Sequence, residues 1–188
     1  IAQFAELSRI VRRSARTVVV AGDLMVPRVA LAPIADDGRA PTTALVTPDP
    51  EGLMTVRHHT VVSAGSSFHD VRFPSHDSVG ALVIAPSAAS QAAAAIDDLC
   101  QACASGEVTV GQDQAFDALL VALVRNGVTV RATDIVDVPW ARGSGSDDVA
   151  SAIESESDDR IRGLLANRVD DGFYSVSYTH LTLPTMDH

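Results

Sequence analysis

The sequence predicts an α/β fold: a mostly parallel sheet flanked by helices, with a small inserted β-hairpin. Three observations predict it. Short β-branched runs (Thr17–Val20, Thr42–Thr47, Val79–Ala85, Val128–Val136) alternate with stretches of helical periodicity, and that alternation is the pattern of strands joined by helical crossovers. Apolar residues make up 46% of the 188 residues, enough for a core, while aromatics are only 4%, so Val, Leu, Ile and Ala must fill it. Two short β-runs, Met54–Arg57 and Thr60–Ser63, sit on either side of His58-His59 and read as the hairpin, although His-His is poor turn chemistry.

Taken in order, residues 2–14 place Phe4, Leu7, Ile10 and Val11 at helical spacing, with Arg9, Arg12, Arg13 and Arg16 between or after them. The arginines read as a solvated face whose cations favour the C-terminal end of the helix dipole. Thr17-Val-Val-Val20 is a buried strand running into Ala21-Gly22-Asp23. Pro27 suits a first helical turn, and Asp36-Asp37-Gly38 is a stop. The Thr42–Thr47 strand, the turn at Pro48–Gly52 and the hairpin follow. Val79-Gly-Ala-Leu-Val-Ile-Ala85 is an apolar strand halted by Pro86. Ser87 is placed to cap an Ala-rich helix over about 88–104, ended by Gly106; residues 113–125 form a second amphipathic helix, stopped by Asn126-Gly127.

Beyond Trp140 the composition changes. Residues 141–168 hold a Gly/Ser loop and an acidic connecting helix containing Asp147, Asp148, Glu154, Glu156, Asp158 and Asp159. The expected organisation is a domain over 1–140, a linker over 141–168, the start of another unit at 169–174, and a non-native tail at 175–188.

Net charge is −10, and every one of the 14 basic residues is arginine. An acidic chain does not carry the clustered cations of a nucleic-acid surface, and Lys chemistry is absent. No run of about 18 apolar residues spans a membrane, and no leader pattern is visible. Cys100-x-x-Cys103 lies late on the Ala-rich helix and reads as a pair of small core residues. His58, His59, His69 and His76 lack metal-ligand spacing and read as loop histidines. Phosphate-loop and GxSxG motifs are missing.

Asp23 has the positional case for function. Ligands of open α/β sheets sit at the C-terminal ends of strands, and Asp23 follows such an end; it serves equally well as a helix N-cap. Asp134 and Asp137 follow the last strand and are candidates to share a cation with it, since Mg²⁺ takes carboxylates, phosphates and water.

The succession of a strand ending Gly22-Asp23, Thr43-Ala-Leu-Val46, a hairpin, Gly80-Ala-Leu-Val-Ile-Ala-Pro86 and Gly127-Val-Thr-Val-Arg131, with Asp134, Asp137 and Trp140 beyond, resembles a nucleotidyltransferase-like domain. It is of the kind fused ahead of CDP-alcohol phosphatidyltransferases. Val169-Asp-Asp-Gly-Phe173 resembles the segment that opens the membrane-embedded part of such fusions. The resemblance implies an N-terminally truncated nucleotidyltransferase-like fold, Mg²⁺ at Asp23, a CTP-like nucleotide, and a sugar or inositol phosphate as co-substrate; Asp137 is a metal candidate only from its place after the last strand. It implies a parent transferase of phospholipid biosynthesis at the inner membrane, with this domain on the cytoplasmic side. The family's second metal carboxylate follows a Trp; here Trp140 is followed by Ala141-Arg142. That departure, with the nucleotide loop expected upstream of Ile1, implies a piece inactive alone, or a non-catalytic regulatory domain. The string Ser175–Thr185 resembles a translated adapter tail.

Overall fold

The structure, a computed structural model, describes residues 2–22, 24–26, 31, 34, 41–66, 68–111, 114–135 and 140–142. Asp23, Asp137, the Pro27 turn, the acidic stretch and everything from 169 onward lie outside the described residues.

Helix α1 (Ala2–Arg13) buries Phe4, Leu7, Ser8 and Val11. Its partner is α2 (Ala89–Ser105), whose Ala92, Ala93, Ala95, Ile96 and Leu99 are buried. Small alanine side chains let the two helices approach closely. A polar clasp crosses this seam: the Ser8 hydroxyl donates to Asp97 Oδ1 at 2.5 Å, and Arg12 donates to the other carboxylate oxygen. Arg9 is engaged by Glu6 within α1. α2 is preceded by a 3-10 turn over Pro86–Ala88, so its N-cap is Ala88 and not Ser87, and Gly106 closes it in the left-handed conformation, φ 78°. Helix α3 (Ala115–Arg125) buries Phe116 and the whole run Ala118–Leu123, and packs on α2 and on the sheet.

The sheet corrects the expectation of a mostly parallel arrangement. It is six-stranded, in the order β1 (Thr17–Val20), β6 (His76–Ile84), β3 (Thr43–Pro48), β7 (Arg131–Asp134), β5 (Thr60–Ala64), β4 (Met54–Arg57). Only β3 and β7 pair in parallel, with Thr43 against Arg131 and Val46 against Asp134. β6 runs antiparallel to β1, β3 and β4. The added β4–β6 contact, Met54 against His76, brings the last strand back to the second and closes a barrel-like ring. A strand buried on both faces reads as an unbroken apolar run whichever way its neighbours point. β6 is such a strand: Val79 and Ala81 to Val83 are wholly buried.

The inserted hairpin is present. Arg57 pairs with Thr60 across a two-residue turn in which His58 and His59 both take positive φ, 50° and 56°. That is the primed turn that hairpin twist demands, built without the usual Asn-Gly. A further short pair, β2 (Leu24–Met25) with β8 (Ala141–Arg142), stands apart from the main sheet.

Two measurements test these assignments. Left-handed backbone costs a side-chain-bearing residue roughly 1–2 kcal/mol, so the double variant His58→Asn/His59→Gly should raise the urea midpoint, a gain of about 1 kcal/mol. The Ser8 hydroxyl, then Arg12, hold the Asp97 carboxyl below its ordinary value of 3.8. A depressed carboxyl stabilises the fold above that value and loses the contribution as pH falls through its folded value. Asp97→Asn should therefore flatten the loss of melting temperature below that pH and leave the profile above it parallel to the parent.

Candidate functional site

β1, β3 and β7 share one direction, because β1 and β3 are each antiparallel to β6 and β7 is parallel to β3. Their C-terminal ends therefore open at one edge of the sheet, the side on which open α/β sheets hold their ligands. Two groups of side chains occupy that edge.

The first lies beyond β1. The Ala21 amide donates to the Gly80 carbonyl at 2.7 Å, and the Leu24 amide turns back to the Ala21 carbonyl at 3.1 Å. The β2–β8 pair then sets Leu24 opposite Arg142 and Met25 opposite Ala141. The segment after Trp140 is thus the hydrogen-bonded neighbour of the segment that contains Asp23. The Arg142 stem crosses β6 at Gly80: a β-carbon there would meet Ala21 Cβ at 3.0 Å and Arg142 Cδ at 3.3 Å, and Gly80 has φ 97°. Arg142 Nη1 reaches Asp117 Oδ1 at 3.3 Å, in the first turn of α3, and the two side chains are 18% and 12% exposed. A guanidinium in so little water is held there by its carboxylate partner.

The second group lies beyond β7 and at the start of β6. His76 Nε2 is 3.3 Å from Asp134 Oδ1, and His76 Nδ1 is 2.7 Å from Ser75 Oγ. An ionised carboxylate only accepts, so Nε2 carries the proton toward Asp134 and Nδ1 accepts from the Ser75 hydroxyl. The order Ser–His–Asp invites a nucleophile reading. The hydroxyl, however, already accepts the Val56 amide at 3.0 Å, and the Ser75 backbone is bonded to Met54 and Asp49. Both ring nitrogens are occupied and the serine is tied to β4. The array is a clasp that closes the ring across β4, β6 and β7.

The Asp134 carboxylate faces His76, and β6 and β3 separate its strand from β1, about 14 Å along the sheet at ordinary strand spacing. Asp23 and Asp137, the residues expected to hold Mg²⁺, lie outside the described residues. What the described residues bring to this edge beside β1 is a fixed cation, Arg142, where two carboxylates would be required. Among the described residues no three His, Cys, Asp or Glu side chains come together as metal ligands.

The remaining candidates separate. His58 and His59 form the hairpin turn, and His69 sits in a bridge with Ser66. Cys100 and Cys103 are free and half-buried, and burial pushes the Cys100 thiol up, away from the reactive thiolate. The Arg142–Asp117 pair and the Gly80 crossing were not read from the sequence. One signal was available: a glycine inside a strand marks a close approach, and Gly80 interrupts an otherwise apolar run.

CTP:phosphocholine cytidylyltransferase from Streptococcus pneumoniae superposes with a TM-score of 0.55 at 14% identity, covering 81% of this chain and 63% of the other. The inositol-1-phosphate CTP transferase from T. maritima matches with a TM-score of 0.47 at 17% identity, over 76% of this chain and 54% of its own. The fold is nucleotidyltransferase-like. The chain spans less than two thirds of the length of these structures. No family model and no curated protein matches it. No described helix is long and apolar enough to cross a membrane.

The pair that anchors β8 can be tested directly. Asp117→Asn should destabilise by about 3 kcal/mol, because it strands a guanidinium with little solvent. The double variant Arg142→Met/Asp117→Leu should recover most of that loss in urea denaturation, since an apolar pair of similar volume needs no counter-charge.

Proposed function

We propose that this chain is a nucleotidyltransferase-like domain that holds a CTP-type nucleotide and carries out no nucleotidyl transfer by itself. The reading places it in a CDP-alcohol phosphatidyltransferase-type protein of phospholipid biosynthesis, on the cytoplasmic side of a membrane-embedded parent. A sugar or inositol phosphate is the partner substrate class of such a domain.

The observation that carries the reading is the position of Arg142. The fold supports a nucleotide crevice at the C-terminal edge of β1, and β2–β8 pairing lines that edge with the segment after Trp140. That segment contributes the Arg142 guanidinium, whose charge Asp117 balances, so among the described residues β8 brings to this edge a satisfied ion pair and not a carboxylate for the metal centre that transfer needs. The same observation favours the second reading, a regulatory or interaction domain that keeps the fold without the chemistry.

Titration calorimetry of CTP separates these. The expected result is binding that persists in EDTA, with no pyrophosphate released on prolonged incubation. Binding that requires Mg²⁺ and disappears in Asp23→Ala would restore the metal-dependent enzyme and overturn the proposal. Absence of CTP binding under both conditions would leave the interaction domain standing.

A further inference from the structure

The hairpin turn and the strand beside it carry charge that no described carboxylate neutralises. Arg57, at the end of β4, pairs with Thr60, at the start of β5, and Thr60 pairs in turn with Arg131, at the start of β7. The register is fixed by further bonds: the Val61 amide donates to the Val130 carbonyl, and the Ala132 amide to the His59 carbonyl, both at 2.9 Å. Directly opposed residues put their β-carbons on one face. Arg57, Thr60 and Arg131 therefore form a single row, the two arginines about 10 Å apart at their Cα atoms and the threonine between them. Both arginines are exposed.

The chain as a whole is strongly acidic, with net charge −10. Three described arginines are paired with carboxylates: Arg9 with Glu6, Arg12 with Asp97 and Arg142 with Asp117. Arg57 and Arg131 have no such partner among the described residues, and they differ from the other exposed arginines in standing side by side on one sheet face. The acid on these strands, Asp134, lies three residues beyond Arg131 on the opposite face of β7, committed to His76. Beside the row, His58 and His59 hold the strained positive-φ turn, 50° and 56°, where Asn-Gly would be relaxed. Backbone strain of this kind gathers at binding sites, and here it sets two imidazoles next to Arg57.

We propose that the row Arg57–Thr60–Arg131, with the His58-His59 turn at its edge, binds a phosphate group. Two arginines flanking a hydroxyl match the chemistry of a phosphate with three acceptor oxygens: each guanidinium offers a planar fork of donors, and the Thr60 hydroxyl, held only at 3.5 Å to the His58 carbonyl, turns to offer one more. The row is at the opposite end of β7 from the strand edge described above, so this site is separate from the nucleotide reading and does not rest on it. The ligand is either a free phosphomonoester or the phosphate of an anionic lipid headgroup.

NMR of the arginine Nε–Hε groups, with inorganic phosphate and with phosphatidic acid vesicles, tests the assignment. Saturable shifts confined to Arg57, Arg131 and the Thr60 amide on adding phosphate support the site with a free anion as ligand. The same shifts with phosphatidic acid vesicles alone, absent with phosphatidylcholine vesicles, support it with the lipid as source. In either arm Arg57→Gln or Arg131→Gln should weaken binding roughly tenfold, the worth of one charge-assisted bond, with the melting temperature unchanged. Equal shifts across all the arginines, no shift at these two in either arm, or unaltered affinity in both variants would overturn the proposal.

Discussion

The fold depends on the two-sided pairing of β6. This strand is nine residues long and holds β3 along one edge while β1 and β4 share the other, β1 at Ala81–Ile84 and β4 at His76. Sharing one edge between two strands forces the sheet to curl, and the curl closes the ring. Gly80 stands where the two halves of β6 meet, with a backbone conformation at φ 97° that other residues rarely adopt. Its missing side chain is also the space through which Arg142 reaches α3. One glycine thus serves the bend in the sheet and the anchoring of the segment after Trp140. The interior residues of β6 are buried, and full burial of a Val or Leu side chain contributes about 1.5–3 kcal/mol, so the strand that fixes topology is also a principal source of core stability.

Element by element, much of this was legible in the sequence, because local periodicity and stop signals are local properties. α1, the Ala-rich helix ended by Gly106, α3 ended at Asn126-Gly127, and the hairpin around His58-His59 all stand near their expected positions. Strand direction was not legible. Val79–Ala85 is apolar throughout, and such a run carries no mark of parallel or antiparallel neighbours. The connection from β5 to β6 holds no described helix, and parallel pairing of those two would have required a crossover; that clue pointed away from a mostly parallel sheet. Closure of the ring rests on Met54 meeting His76, residues from separate elements whose contact no spacing rule anticipates.

The candidate site divides along the same line. That the end of β1 is a place for ligands is an expectation from strand order; what the structure shows is that β1, β3 and β7 end at one shared edge. What gathers there does not follow, because it depends on pairs distant in sequence. Asp134 looked like a second acid and is instead held by His76, whose ring was read as an ordinary loop histidine. Arg142 was visible only as the absence of a carboxylate, until β2–β8 pairing showed which segment it faces.

The Arg142–Asp117 pair has a physical consequence for the edge it anchors. A guanidinium and a carboxylate that are 18% and 12% exposed are each costly to bury alone, and each offsets the other's cost. The charge is balanced within the chain, and the pair ties β8 to α3. Two carboxylates brought to one strand edge would instead repel each other, and a divalent ion normally offsets that repulsion. Core and edge draw on different residues, the first on the buried faces of β6 and α3, the second on charged side chains beyond the strand ends. A change of charge at the edge therefore leaves the core packing in place.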